Sequence, residues 1–252
     1  MLNDLLLLSG ADIPFITAQV NIHQPTIREI SMIGEENFYA GCGILTFSKE
    51  NLSKEDRFNL QDNSNFEVMM RLIMDNSHPV MRKNKVNAMM VLTLLFPQYE
   101  VLMKLHEIQL IKDIENTEEK EVRSINEKNF ETFQQIITAM FCLKGRGGDD
   151  APDYNPGGKH AKEIAEKLAK RRQVIAEQNG EQKIAILSRY SSILAIGLKM
   201  DLNDILNYTV YQLFDQYDRF ELEEQFDIYI RAQLAGASGL KEADNWKKDI
   251  HP

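Results

Sequence analysis

LNDILNYTVYQLFDQYDRFELEEQFDIYIRAQLAGASGLKEADNWKKD, residues 202–249, decides how the chain is read. It holds the only tryptophan, Trp246, and four tyrosines, Tyr208, Tyr211, Tyr217 and Tyr229, with Tyr190 just ahead of it. Asp201 is placed to cap a short helix carrying Leu202, Ile205 and Leu206. Thr209-x-x-Gln212 is a capping-box pattern, which opens a further helix faced by Val210, Leu213, Phe214 and Tyr217. Leu222, Phe226, Tyr229, Ile230 and Leu234 face the next, broken at Gly236 and Gly239. A final short helix sets Leu240, Ala243, Trp246 and Ile250 at spacings of three and four. The stretch carries no catalytic pattern and reads as a device for holding other helices.

Upstream, residues 145–158 (GRGGDDAPDYNPGG) break the composition sharply and cannot bury enough apolar surface to fold alone. They are read as a flexible linker between an N-terminal domain, residues 1–144, and a C-terminal all-helical domain, residues 159–252. In the N-terminal part Leu5–Leu8 form an apolar leader closed by Gly10 and Pro14. Ile16, Ala18, Val20 and Ile22 alternate over Phe15–His23, which predicts a half-buried strand ended by Pro25. Ile27, Ile30 and Ile33 predict a helix stopped by Gly34, and a second helix from Glu35 is faced by Phe38, Cys42 and Leu45. Asn65 is read as the cap of a helix carrying Phe66, Met69, Met70 and Ile73. From Arg82 to Phe96 the spacing turns Val86, Met89, Met90, Thr93 and Leu94 inward. Tyr99–Lys112 predicts two strands turning near His106-Glu107 and joining the first strand in one sheet, with a single helix as the alternative. Residues 113–123 read as charged and exposed, and Ser124–Leu143 as a helix capped by Asn126 with Phe130, Phe133, Ile137, Met140 and Phe141 inward. The expected class is α+β, predominantly helical, with a small antiparallel sheet in the N-terminal domain.

The totals exclude several function classes. A net charge of −9 argues against a global affinity for nucleic acid or anionic membrane. No apolar run approaches a membrane span and no signal-peptide pattern leads the chain, so the expected location is the cytoplasm. Cys42 and Cys142, a hundred residues apart, share no metal or redox spacing and read as packing thiols. His23, His78, His106, His160 and His251 form no metal-ligand frame. No cofactor is implied. Pro156-Gly157-Gly158-Lys159-His160 opens a helix, but His160 stands where a phosphate loop needs Ser or Thr, and Asp153 where it needs Gly. Asp149, Asp150 and Asp153 lack a calcium-loop frame. The helix at 159–172 gathers Lys159, Lys162, Lys167, Lys170, Arg171 and Arg172, the best nucleic-acid candidate, although its interleaved residues are aliphatic and offer no stacking platform.

Tyr211-Gln-Leu-Phe-Asp-Gln-Tyr-Asp-Arg-Phe220, continuing through Phe226-Asp-Ile-Tyr-Ile-Arg-Ala-Gln-Leu-Ala-Gly236, resembles proteins of tailed phages and prophages encoded among tail morphogenesis genes. Ile22-His-Gln-Pro-Thr-Ile-Arg-Glu-Ile30 with Gly34-Glu35-Glu36 resembles the same group. The group is similar to phage tail assembly chaperones. The resemblance implies a non-catalytic role: coating the helical tape measure protein and recruiting tail tube subunits without entering the virion. A structural virion subunit (tail tube, connector or baseplate) is the first alternative, and a nucleic-acid-binding protein using residues 159–172 the second. Self-association is left open. Eleven methionines, clustered at Met69-Met70-Met74 and Met89-Met90, are either core or an adaptable apolar surface. Tyr211, off the Val210–Tyr217 stripe, and Trp246 are the aromatic residues expected to face a partner, with Ala235–Gly239 as the hinge between the last helices.

Overall fold

The computed structural model describes residues 3–49, 62–74, 79–114, 119–143, 185–236 and 247. The linker at 145–158, the basic stretch at 159–172 and Trp246 lie outside the described residues. The described chain is α+β and predominantly helical, with two small antiparallel sheets.

Helix α1 (Asp4–Ser9) is capped by Asn3 and ends at Gly10. Strands β1 (Ile13–Phe15) and β2 (Val20–Ile22) form a hairpin, with Ile13 opposite Ile22 and Phe15 opposite Val20. The single strand expected over Phe15–His23 is therefore interrupted. Residues Ile16–Ala18 make a 3-10 turn, and Gln19 takes a left-handed conformation at φ 57°. The turn reverses the chain, throws Ile16 into solvent at 82 % exposure, and puts Ile13, Phe15, Val20 and Ile22 inward. The hairpin is its own sheet and does not join the later strands.

Helix α2 (Ile27–Ile33) opens with a Thr26–Glu29 capping box and stops at Gly34, where φ of 84° requires a residue without Cβ. Helix α3 (Glu35–Leu45) follows directly, with Phe38, Cys42 and Leu45 wholly buried. Burial pushes the Cys42 thiol well above its ordinary range, so it behaves as a packing group. Helix α4 (Asn65–Met74) buries Phe66, Met69, Met70 and Ile73 as expected. Its cap is Ser64 rather than Asn65: Ser64 Oγ accepts from the Glu67 N–H, and the Glu67 carboxylate accepts from the Ser64 N–H. Helix α5 (Pro79–Leu95) crosses α3 closely at Gly41.

Strands β3 (Glu100–Lys104), β4 (Glu107–Asp113) and β5 (Lys120–Asn126) form the second sheet, in that order. The hairpin turns at Leu105-His106. Met103, Ile108 and Ile125 lie opposite one another across the three strands and, with Leu110, face the core. Strand β5 replaces the exposed segment expected over 113–123. Its Lys, Glu and Arg side chains hid it, because a sheet with one wet face tolerates them on alternate positions. Asn126 then caps α6 (Glu127–Met140), reciprocally with Asn129. Helix α6 lies at the centre of the core: Phe133 meets Phe15 of β1 at 6.0 Å and Phe96 beyond α5 at 6.3 Å, and Phe130 meets Phe66 at 5.2 Å.

The C-terminal helices are α7 (Ile186–Gly197), α8 (Leu202–Ile205) and α9 (Val210–Leu234). Asp201 and Thr209 cap α8 and α9 as expected. The two helices read across 210–234 are one continuous helix, since no residue between Phe220 and Leu222 breaks the backbone ladder. These helices share a single hydrophobic core with the N-terminal elements. The junction is made by backbone. Thr26 and Thr209, the two N-cap residues, face each other in an antiparallel bridge. The Ile27 N–H donates to the Tyr208 carbonyl and the Arg28 N–H to the Leu206 carbonyl, both at 2.8 Å. First-turn N–H groups that α2 itself cannot satisfy are thereby satisfied. Arg28 adds hydrogen bonds to Asn207 Oδ1 and the Asn203 carbonyl. The Glu35 carboxylate accepts from the Leu187 N–H at 2.8 Å, and so caps α7, which has no side-chain cap of its own.

Two predictions follow from these contacts. A Cβ at Gly41 would lie 2.4 Å from the Asn87 carbonyl oxygen and 2.6 Å from Val91 Cγ2, whereas one at Gly43 would meet nothing within 4 Å. Gly41→Ala should cost about 1–3 kcal/mol in urea unfolding, while Gly43→Ala should leave stability unchanged or raise it by up to about 1 kcal/mol. Equal effects at both sites would refute the close crossing. The second prediction concerns Glu29. Burial works to raise its carboxyl, but hydrogen bonds from the Thr26 backbone and hydroxyl, with His23 alongside, outweigh this and hold it below its ordinary value. Such a depressed group contributes stability that is present above its unfolded pKa and lost as pH falls through the folded one. Glu29→Gln should therefore lose less stability than the unmodified chain between about pH 5 and pH 3. Urea midpoints across that window check this, and parallel profiles would count against it.

Candidate interaction surface

The aromatic block of residues 202–234 is mostly consumed by the core. Tyr211 is 5 % exposed, and its hydroxyl donates to Asp4 Oδ1 of α1 at 3.3 Å. It lies off the Val210–Tyr217 stripe but not off the protein, because α1 packs on that flank of α9. Gln212 extends the same grip through its amide to the Leu8 carbonyl at 2.7 Å. The expectation that Tyr211 faces a partner is therefore corrected: it is a structural contact. Tyr190 and Tyr217 stack face to face at 3.5 Å, with Phe214 edge-on to Tyr190 at 5.3 Å. This pairing clamps α7 to α9.

Among the described residues, an exposed apolar stripe lies instead on α5. The expected inward residues were Val86, Met89, Met90, Thr93 and Leu94. The buried stripe is Asn87, Ala88, Val91, Leu92 and Leu95, turned away from it around the helix. The reason is the crossing at Gly41. It admits the backbone of Asn87 and the side chain of Val91 at closest approach, and so turns the other apolar stripe outward. That outer stripe and Ile33 at the end of α2 line a groove of about 420 Å³, bounded by Ile33, Lys85, Val86, Met89, Met90 and Leu94. Thr93 also lines it, but its hydroxyl donates to the Met89 carbonyl at 2.9 Å, which leaves its methyl as the available surface. Val86 is 50 % exposed, and Met32, one residue before Ile33, is 84 % exposed.

The two methionine pairs thus divide. Met69 and Met70 are core, while Met89 and Met90 line the groove half-buried. Unbranched thioether side chains fit irregular apolar partners by changing rotamer. Lys85 lines the groove, and Arg82 and Lys83 precede it on α5, with Lys83 3.7 Å from Glu36 of α3. A helix apolar on two sides was the available sequence signal, since such a helix must either be buried all round or show one side.

A second hollow of about 350 Å³ lies between the hairpin turn and Tyr99 and is lined in part by Pro14, Gln19 and Asn21. Among the described residues no group of three or more His, Cys, Asp or Glu side chains is placed to hold a metal ion. Among them, too, no helix is long and apolar enough to cross a membrane. The arrangement offers apolar docking and a basic edge.

No curated protein and no solved structure matches the chain. Residues 178–251, which include α7, α8 and α9, are similar to a phage-related family described as the YomV second domain.

Proposed function

We propose that this chain is a non-catalytic tail assembly chaperone of a bacteriophage or prophage. In this role it acts in the cytoplasm of the bacterial host, holds the helical tape measure protein in solution and helps recruit tail tube subunits. The observation that carries the reading is the exposed α5 groove. Its lining of Ile33, Val86, Met89, Met90 and Leu94 suits the apolar ridge of an amphipathic helix, a mode in which anchors spaced at three and four residues enter a hydrophobic channel. Methionines at its centre suit a client that presents many non-identical helical turns. The likeness of residues 178–251 to a phage-related domain supports the phage setting.

Co-expression with the tape measure protein from the same gene cluster tests this. A soluble complex that survives gentle purification is expected. It should be lost with Val86→Asp and Met90→Asp together, at positions that line the groove without belonging to the packed core. Two proteins that stay separate would sink the proposal. Recovery of the chain from purified particles by mass spectrometry would assign it to the virion instead.

A further inference from the structure

Helix α9 changes character halfway along. Its core-packing residues end at Phe220: Val210, Leu213, Phe214, Tyr217 and Phe220 along one stripe, and Tyr211 on the flank that α1 covers. Beyond Phe220, residues 221–234 continue as regular helix for roughly 21 Å. At 100° per residue, the apolar residues of this outer part, Leu222, Phe226, Tyr229 and Ile230, lie roughly half a turn around the helix from the Val210–Phe220 stripe, on the side of Tyr211. None of the four belongs to the hydrophobic core or to the residues packed against it. Helix α1 holds that flank through Tyr211 and Gln212 in the first turn of α9, about 15 Å of helix before Leu222. Ile228 and Leu234 add exposed apolar surface at 63 % and 83 %.

The outer stripe is edged by acid. Glu223 and Asp227 run along one side, and Asp227 pairs at 3.2 Å with Arg231, the one base among residues 221–234; Glu221 and Glu224 fall on the opposite face of the helix. The α5 groove has the opposite character. It is apolar along the Val86–Met90–Leu94 line and includes Lys85, with Arg82 and Lys83 in the preceding turn of α5, Lys83 paired with Glu36. One surface is a ridge with acidic edging and the other a channel with a basic end, and both belong to the same chain.

We infer that the outer half of α9 docks into the α5 groove of a second copy of this chain. The Phe226–Ile230 ridge enters between Ile33 and Met90, and Glu223 and Asp227 meet the Lys85 end. Arm and groove are different surfaces, so two copies can exchange arms reciprocally about a two-fold axis, an isologous pairing, or copies can add head to tail through a heterologous contact. The inference shares the groove with the proposed helix-binding role and makes the arm a placeholder that a client helix displaces. It stands apart from that role in its test, which uses no other protein.

Sedimentation equilibrium of the full chain, from about 1 to 100 µM, should show self-association that weakens as salt rises. Phe226→Asp in the arm and Met90→Asp in the groove should each weaken it at least about tenfold, with circular dichroism melts confirming that both variants fold. An equimolar mixture of the two variants should regain association, since one retains a sound groove and the other a sound arm. Lys85→Glu should weaken self-association, and adding Glu223→Lys should restore part of it. A monomer throughout the concentration range would overturn the inference. So would dissociation by Phe226→Asp without any effect of Met90→Asp, which would mark arm-to-arm pairing, or a mixture that does not recombine.

Discussion

Two helix N-termini facing each other hold this molecule together. Helices α2 and α9 each begin with a Thr capping box, and their cap residues Thr26 and Thr209 pair in a two-residue antiparallel bridge. A capping box alone satisfies two of a helix's free donors. Here the next donors of α2, at Ile27 and Arg28, are taken by carbonyls of Tyr208 and Leu206, just before α9. The same few residues thus start two helices and join parts of the chain 183 positions apart. Everything the C-terminal helices contact, from Asp4 and Leu8 on α1 to Glu35 on α3, depends on that alignment.

From this junction the inner half of α9 is drawn into the core and the outer half is left with no continuation of its packing face. Helix α5 meets α3 at a glycine, so one of its two apolar stripes is pressed inward and the other is turned out. The two candidate interaction surfaces have a common physical origin. Each is a helix with more apolar surface than its intramolecular neighbours can bury.

Much of the helical part was legible from local chemistry. The Thr209–Gln212 box, the Asp201 and Asn126 caps and the Gly34 stop act over four residues or fewer, and the structure keeps each of them. The stripe of α6 was legible because only one side of that helix is apolar. Strand β5 was not, because its alternating charged residues resemble a solvated loop until a partner strand accepts their backbone. The turn at Ile16–Ala18 was missed because alternation of Ile16, Ala18, Val20 and Ile22 mimics one strand, whereas in the structure Phe15 is buried and Ile16 exposed.

The candidate site divides along the same line. Sequence by itself determined that α5 carries methionines and aliphatics at helical spacing, that residues 210–220 pack through Val210, Leu213 and Phe214, and that acids edge residues 221–227. It could not say which stripe of α5 is buried, nor that Tyr211 is enclosed, because each is decided by a neighbour distant in the chain. Gly41 selects the Asn87–Val91 side of α5, and Asp4 with α1 covers Tyr211. Periodicity shows that a face is apolar, a property of the local chain. Whether that face meets water is set by what packs against it, and only the tertiary structure supplies that.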